Sequence, residues 1–310
     1  PPPTLRRQRQ MCIRDRFATA KAPLLGHGDA IKAAETVHLT APATIEGVLA
    51  IGQLEAAFLD VGIKYRRRFF TPRHHLPRDA GPAWTVAPNG LTVVVDVEED
   101  TWEVGDVPTG EHVHLVPVST TVEMGSKHRR FSGVLDPVLQ AAALAAVLAP
   151  NGRRVRKLRP FISLGLWSRG ALETNMDPIH TAVLNHLKEE GSLRLVPLPE
   201  VAAPAEGMMP GLSERQLKRL RRVWSTMDVE QRTMALSELL LPCLTEAELS
   251  TPRLEELAWH RMVVGEEAVD LASQVHHLKH AWPQEADAGR LFASKLLDGW
   301  LGTGHLTAGD

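Results

Sequence analysis

A run of apolar, mostly β-branched residues, LTVVVDV at 91–97, constrains the fold of this chain more than any other stretch. A strand that is apolar on both faces is typical of a parallel sheet whose two faces are covered. Further strand patterns lie at 36–39, 63–70 and 112–118, and helical patterns lie at 46–61 and 136–150. This alternation predicts an α/β protein with a doubly wound, mostly parallel sheet.

The composition changes after residue 204, where a linker-like sequence, APAEGMMPG, is followed by segments with helix start signals. We therefore predict an α/β domain over 17–204 and a helical C-terminal region over 205–310. Residues 1–16, PPPTLRRQRQMCIRDR, carry five arginines against one aspartate and have no hydrophobic period. Because MCIRDR resembles a translated adaptor sequence, we predict that 1–16 is a non-native or disordered segment. The alternative is a basic arm that contacts nucleic acid.

The overall charge and the cysteine content exclude several classes of protein. The 310 residues have a formal net charge of −2, which argues against a generally basic nucleic-acid binder but allows a local basic patch. No apolar run approaches the ~20 residues that span a bilayer, so we expect no membrane partner. Two cysteines, Cys12 and Cys243, provide neither a disulfide framework nor a zinc quartet. Together with the lack of a signal-peptide core, this predicts a cytoplasmic location.

The stretch VHLTAPATIEGVLAIGQLEAAF, at 37–58, is the first candidate site. It contains a strand with His38, a loop with Thr44 and Glu46, then Gly47 and a helical pattern. In α/β proteins, ligands bind at such junctions between a strand and a helix. The stretch is therefore a working site, a degenerate site or only a turn.

This layout resembles the first motif of the DHH phosphoesterase superfamily, in its RecJ-like branch. That motif has a strand, a His, two Asp in a loop, a Gly, and then a helix with Ala three and Leu seven residues after the Gly. Gly47, Ala50 and Leu54 match it, whereas Thr44 and Glu46 occupy the positions of the two Asp.

Three later motifs of the family have partial counterparts in this chain. VVVDVEED resembles the second motif, with Asp96 matching an Asp that bridges two metal ions. VPVSTT occupies the place of the Asp-His-His motif and offers Ser119, Thr120 and Thr121 instead. In ISLGLWSRGALET, Arg169 lies near the position where the fourth motif has an Asp.

These departures determine what the resemblance implies about activity. Family members hold two divalent ions with Asp and His side chains, and the ions generate a hydroxide nucleophile. Among the positions of the family's motifs, only His38, Asp96 and Glu46 keep a group that could ligate a metal ion, and hydroxyl groups are weak replacements for carboxylates. We therefore expect a catalytically inactive protein without a cofactor. If the chain is active, we expect manganese or magnesium, with Asp96 and His38 as candidate ligands.

Two basic segments are candidate nucleic-acid contacts. KYRRRFF places Lys64, Arg66 and Arg68 on one face of a strand. SERQLKRLRRVW forms a helical pattern that also includes Trp224; its basic residues are Arg215, Lys218, Arg219, Arg221 and Arg222. Such patches follow phosphate backbones, although either could be an ordinary charged surface. GRRVRKLR, at 152–159, is a third basic run.

The expected function is that of a RecJ-like protein that binds single-stranded DNA or a replication or repair partner. One lineage of the resembled family lost its metal site and binds the GINS complex, so a partner of that type is also expected. One alternative is an active, divalent-metal-dependent phosphodiesterase or single-strand-specific exonuclease. Another alternative is a protein that binds a small nucleotide in the same crevice.

Two pairs of histidines have spacings that are compatible with a metal ion. His112 and His114 lie on one face of a strand, and His276 and His280 lie one helical turn apart. Neither pair has an evident third ligand in the sequence. We therefore interpret both pairs as surface or core-rim residues.

Overall fold

The computed structural model describes residues 20–97, 103–104, 110, 112–124, 129–170, 178–246 and 249–307. The prediction for residues 1–16 falls outside these ranges.

The N-terminal part of the chain begins with alternating helices and strands and continues, from the second strand onward, with strands that have no α-helix between them in the described residues. The elements of this part are α1 (Lys21–Ala33), β1 (Val37–Pro42), α2 (Ile45–Val61), β2 (Tyr65–Phe70), β3 (Leu91–Val95), β4 (Glu103–Val104), β5 (Val113–Leu115), β6 (Val118–Met124) and β7 (Arg129–Leu135). The middle of the chain adds α3 (Pro137–Leu148), α4 (Arg153–Leu158), α5 (Leu164–Ser168), α6 (Pro178–Glu189) and β8 (Arg194–Val196). The C-terminal part contains α7 (Glu214–Val223), α8 (Val229–Leu240), α9 (Thr251–Trp259), β9 (Arg261–Val263), α10 (Leu271–Ala281) and α11 (Ala286–Thr303).

The central sheet has four strands in the order β2-β1-β3-β5, and all three pairs are parallel. The predicted α/β fold with a parallel sheet flanked by helices is confirmed. From β1 the chain passes to β2 on one side, and it then returns past β1 to form β3 on the other side. The direction of winding therefore reverses between β1 and β3, and the crevice beyond the carboxyl ends of those two strands is where such sheets bind ligands.

The two faces of the sheet are covered differently. Helix α2 packs on the face that carries Tyr65, whose ring centroid lies 5.6 Å from that of Phe58. On the opposite face, Ala87 donates its N–H to Thr92 Oγ1 over 2.9 Å. The segment between β2 and β3 is thereby held against the sheet.

The strand predicted at 112–118 is divided between two sheets, which corrects the sequence interpretation. Only Val113–Leu115 joins the central sheet, as β5. After Pro117 the chain enters β6, which pairs with β7 in antiparallel orientation and with β4 in parallel orientation. Proline has no N–H to donate, so it suits the point where the chain leaves one ladder for another.

The C-terminal region is helical, as predicted, and it includes one short strand that the sequence did not indicate. That strand, β9, pairs with β8 in antiparallel orientation. Helix α11 packs on α2, where a Cβ atom at Gly52 would lie 2.1 Å from the ring of Trp300. Trp300 is fully buried, and its ring meets that of Phe161 at 5.1 Å in an edge-on arrangement. The division of the chain at 204/205 stays a prediction.

None of the helices in the described part of the chain is long and apolar enough to cross a membrane.

Candidate functional site

The turn between β1 and α2 is short and closely packed. Thr44 is the N-cap of α2, and its hydroxyl oxygen accepts the N–H of Gly47 over 3.1 Å. A Cβ atom at position 47 would lie 2.2 Å from the carbonyl oxygen of Pro42, so only glycine fits there. The match of Thr44 and Gly47 to a phosphoesterase motif therefore coincides with a structural requirement of this turn.

Glu46 is the acidic residue in the first turn of α2 and is half-buried. A carboxylate at this position interacts favourably with the positive end of the helix dipole. This gives Glu46 a structural reason to be acidic that does not depend on a metal ion.

Asp96 directly follows β3, at the carboxyl end of the sheet. It is buried, and its N–H donates to the carbonyl of Leu115 over 2.8 Å. Its Oδ2 lies 3.9 Å from Nε2 of His114, which projects from β5. Asp96 is therefore in the crevice where the winding reverses, as its place after a buried strand indicated.

His38 lies at the other end of the sheet. It is level with Thr92 in the parallel ladder, four residues before Asp96, which corresponds to about 13 Å along the strand. A Cβ atom at Gly90 would lie 3.3 Å from the His38 ring, which places that ring where the chain enters β3. The structure does not bring His38 and Asp96 together as co-ligands.

Ser119, Thr120 and Thr121, which occupy the place of the Asp-His-His motif in the sequence, belong to β6 and not to the central sheet. Thr120 is level with Gly133 of β7, and the hydroxyl of Thr121 lies 3.0 Å from that of Ser132. Ser119 is exposed. These residues take part in the β6–β7 ladder, because the chain leaves the central sheet at Pro117, before it reaches them.

Arg169 follows α5 and donates a hydrogen bond from its guanidinium to the carbonyl oxygen of Val97. It therefore reaches the residue next to Asp96, and these two predicted site residues share one end of β3. A guanidinium at this point would favour an anion such as a phosphate over a metal ion.

The metal-ligand chemistry of the crevice is sparse. In the described ranges, no group of three or more His, Cys, Asp or Glu side chains could hold a metal ion. His112 and His114 instead pack around Trp84, whose ring centroid lies 5.4 Å and 5.3 Å from theirs. Trp84 comes from the Pro- and Gly-rich segment before β3, and nothing in its sequence context predicted this contact. The rings of His276 and His280 lie 4.2 Å apart on α10.

The basic face predicted on β2 is present in the structure. Lys64 and the strand residues Arg66 and Arg68 are exposed and follow one another at alternate positions. β2 is an edge strand of the central sheet. Within the part of the chain that is described, none of the three makes an ion pair or a side-chain hydrogen bond. They form an uncompensated row of positive charge, which we call the basic row.

The other face of β2 is part of a charge network, buried at Glu55 and open to solvent at Asp298, that the sequence did not reveal. Arg67 contacts Glu55 of α2 over 3.2 Å and Asp298 of α11 over 2.9 Å. The Tyr65 hydroxyl donates to the same Glu55 over 3.1 Å. Burial raises the pKa of the Glu55 carboxyl group to about 6. Burial and the neighbouring charge of Glu55 raise the pKa of the Tyr65 hydroxyl to about 12. The network fixes β2 between α2 and α11 and so orients the basic row.

A pocket of about 420 Å³ lies where β2 ends. It is lined by Arg68 and Phe70 of β2, by Thr71, and by Arg290 and Ser294 of α11. Arg290 is held by the Thr71 hydroxyl over 2.9 Å and by the carboxylate of Asp287 over 2.6 Å. The basic row thus leads to a polar pocket with a second arginine.

The second predicted basic segment forms α7, on which the basic residues have two different roles. Lys218, Arg219 and Arg222 are exposed, as predicted. Arg221 instead donates to the carbonyl oxygens of Val201 and Ala202. Trp224 is buried and donates to Glu200 over 3.0 Å, so its ring is not available for stacking on a base.

No protein-family model matches this chain, and no curated protein matches it either.

Proposed function

We propose that this chain is a catalytically inactive, RecJ-like protein of the DHH type that binds single-stranded nucleic acid along β2. The observation that carries the proposal is the basic row of Lys64, Arg66 and Arg68 on an exposed edge strand. A replication protein, such as a GINS-type complex, is the alternative partner that the family resemblance implies.

The spacing of the basic row supports a single strand as the ligand. Alternate residues of a β-strand are about 6.6 Å apart on one face. This repeat is comparable to the distance between successive phosphates of an extended single strand. Because these side chains have no ion-pair partner in the described residues, no ion pair has to break before they neutralise phosphates. The counterions that the nucleic acid then releases drive binding.

Three features of the crevice support the lack of catalysis. Thr44 acts as a helix cap, His38 lies about 13 Å along the sheet from Asp96, and Arg169 binds the main chain beside Asp96. Two divalent ions need several carboxylates and imidazoles that converge on one point. Asp96 and His114 provide one carboxylate and one imidazole close together, which are too few ligands for two metal ions.

A binding titration tests the proposal. The full chain is titrated into a fluorescently labelled single-stranded oligonucleotide, and anisotropy is measured for the wild type and for the Arg66→Glu/Arg68→Glu variant. We expect the variant to lose affinity by about tenfold or more, because two phosphate contacts become repulsive. The matched control is Lys188→Glu/Lys279→Glu, which makes the same change of charge at exposed residues of α6 and α10.

The control should bind nearly as well as the wild type. Equal losses in the two double variants would mean that only net charge matters, and the basic row would not be the binding site. Absence of binding by the wild type at low salt would remove nucleic acid as the ligand and leave a protein partner.

A metal-dependent phosphodiesterase or exonuclease is the second candidate function. It is favoured by one observation, the buried carboxylate of Asp96 beside His114 at the point where the winding reverses. The test is a nuclease assay with manganese on the wild type and on Asp96→Ala. The inactive-protein proposal predicts no turnover by either protein. Turnover that disappears in Asp96→Ala would establish the enzyme instead.

A further inference from the structure

Helix α7 presents a stripe of positive charge that the proposed nucleic-acid site on β2 does not use. Arg215, Lys218, Arg219 and Arg222 follow one another at helical spacing and are all exposed. No ion pair or side-chain hydrogen bond of these four occurs among the described residues. The stripe is therefore complementary to a negatively charged partner.

Exposed apolar side chains follow the stripe along the chain. Val223 ends α7 and is 44% exposed, and Val229 begins α8 and is 80% exposed. A β-branched residue as exposed as Val229 contributes little apolar burial to this fold. Of the acidic residues of this helical hairpin, Glu214 and Glu230 lie in the first turns of their helices, where the helix dipole favours them, and Asp228 caps α8. Glu238 lies near the C-terminal end of α8.

The inner side of the hairpin holds this surface in a fixed orientation. Leu217 and Leu220 are buried, and Arg221 binds the main chain of Val201 and Ala202. On the α8 side, the Arg232 guanidinium lies 5.3 Å from the centroid of the Trp224 ring and donates to its carbonyl over 3.0 Å. The outer stripe is consequently preorganised, which lowers the entropic cost of binding.

We propose that the outer face of the α7–α8 hairpin docks an acidic segment of a partner protein whose apolar side chains cover Val223 and Val229. A protein segment fits this face better than nucleic acid does, because protein interfaces combine an apolar centre with a charged rim. The proposal does not depend on the β2 site.

The test uses two synthetic peptides as probes. One carries Glu and Leu at amphipathic helical spacing, and the other has every Leu replaced by Ser. Binding to the full-length chain is measured by fluorescence anisotropy for the wild type, Arg219→Glu/Arg222→Glu and Val229→Ser, with Arg153→Glu/Arg156→Glu as the matched control. All substituted side chains are exposed, so each variant should fold, which circular dichroism checks.

We expect the Glu/Leu peptide to bind the wild type and to lose about tenfold or more in affinity on Arg219→Glu/Arg222→Glu. Val229→Ser should weaken it severalfold, and the Ser-containing peptide should bind more weakly than its Leu counterpart. Equal binding of the two peptides, or no effect of the α7 substitutions, would overturn the proposal. The proposal would also be overturned if Arg219→Glu/Arg222→Glu lost affinity for single-stranded DNA but still bound the Glu/Leu peptide. In that case α7 would be a surface that binds nucleic acid.

Discussion

Glu55 is a residue whose ionisation is altered by this fold. Its carboxylate is buried between α2 and β2, and burial raises its pKa from the ordinary 4.5 to about 6, against the opposing effects of Arg67 and Tyr65. The folded state therefore binds this proton more tightly than the unfolded state does. The resulting stabilisation is fully present below pH 4.5, and it is lost as the pH rises through 6.

The variant Glu55→Gln should remove this pH dependence. Between pH 4.5 and 7, its free energy of unfolding should rise relative to that of the wild type by about 2 kcal/mol. Urea denaturation of both proteins across this range measures the difference. Two parallel stability curves would contradict the assignment of a raised pKa to Glu55.

Gly47 is the residue that allows α2 to begin directly against β1. Gly47→Ala would place a Cβ atom 2.2 Å from the Pro42 carbonyl oxygen, so the backbone must move. We expect a loss of stability of about 1–3 kcal/mol. Gly26→Ala is the matched control: it is an exposed helical position with open space around it, where alanine should be neutral or stabilising. Thermal unfolding compares the two, and equal shifts in Tm would refute the packing argument.

At the scale of elements, α2 depends on the cap that Thr44 provides. Thr44→Ala should destabilise the protein by about 1 kcal/mol, whereas Thr44→Ser should restore most of the stability. Chemical denaturation measures both variants. If Thr44 served instead as a functional hydroxyl, Thr44→Ala would leave the unfolding free energy unchanged.

Elements with strong local signals could be predicted from the sequence. The apolar run before Asp96 became β3, and the helix expected at 46–61 spans Ile45–Val61 and ends at Gly62, which has a φ of 76°. The stretch 112–118 could not be divided correctly, because a strand pattern does not say which sheet a strand joins. Pro117 was the one local sign of the change.

The candidate site was less predictable because it depends on which side chains meet. The placement of Asp96 followed from its strand, since the carboxyl ends of parallel strands lie at one edge. The distance between His38 and Asp96 depends on how far along its strand each residue lies, which a motif does not define. Trp84 and the network around Glu55 depend on contacts between distant segments and left no local pattern.

At the scale of the whole molecule, the two basic surfaces are held in place by different elements of the fold. The basic row is held by β2 between α2 and α11, whereas the α7 stripe is anchored to the 198–202 segment. The two surfaces can therefore be altered separately, and each should serve its own ligand. Helix α11 matters for the first surface because it contributes Asp298 to the network that orients β2 and Arg290 to the pocket where β2 ends.

The most direct test of the central claim is the salt dependence of single-stranded DNA binding. The slope of log K against log salt changes by about 0.7 for each phosphate that the protein no longer neutralises. The uncharged variant Arg66→Gln/Arg68→Gln should therefore bind with a slope about 1.4 shallower than that of the wild type. The control Lys188→Gln/Lys279→Gln, which neutralises two exposed lysines of α6 and α10, should keep the wild-type slope. An unchanged slope in the β2 variant would contradict the claim that the basic row binds the phosphate backbone.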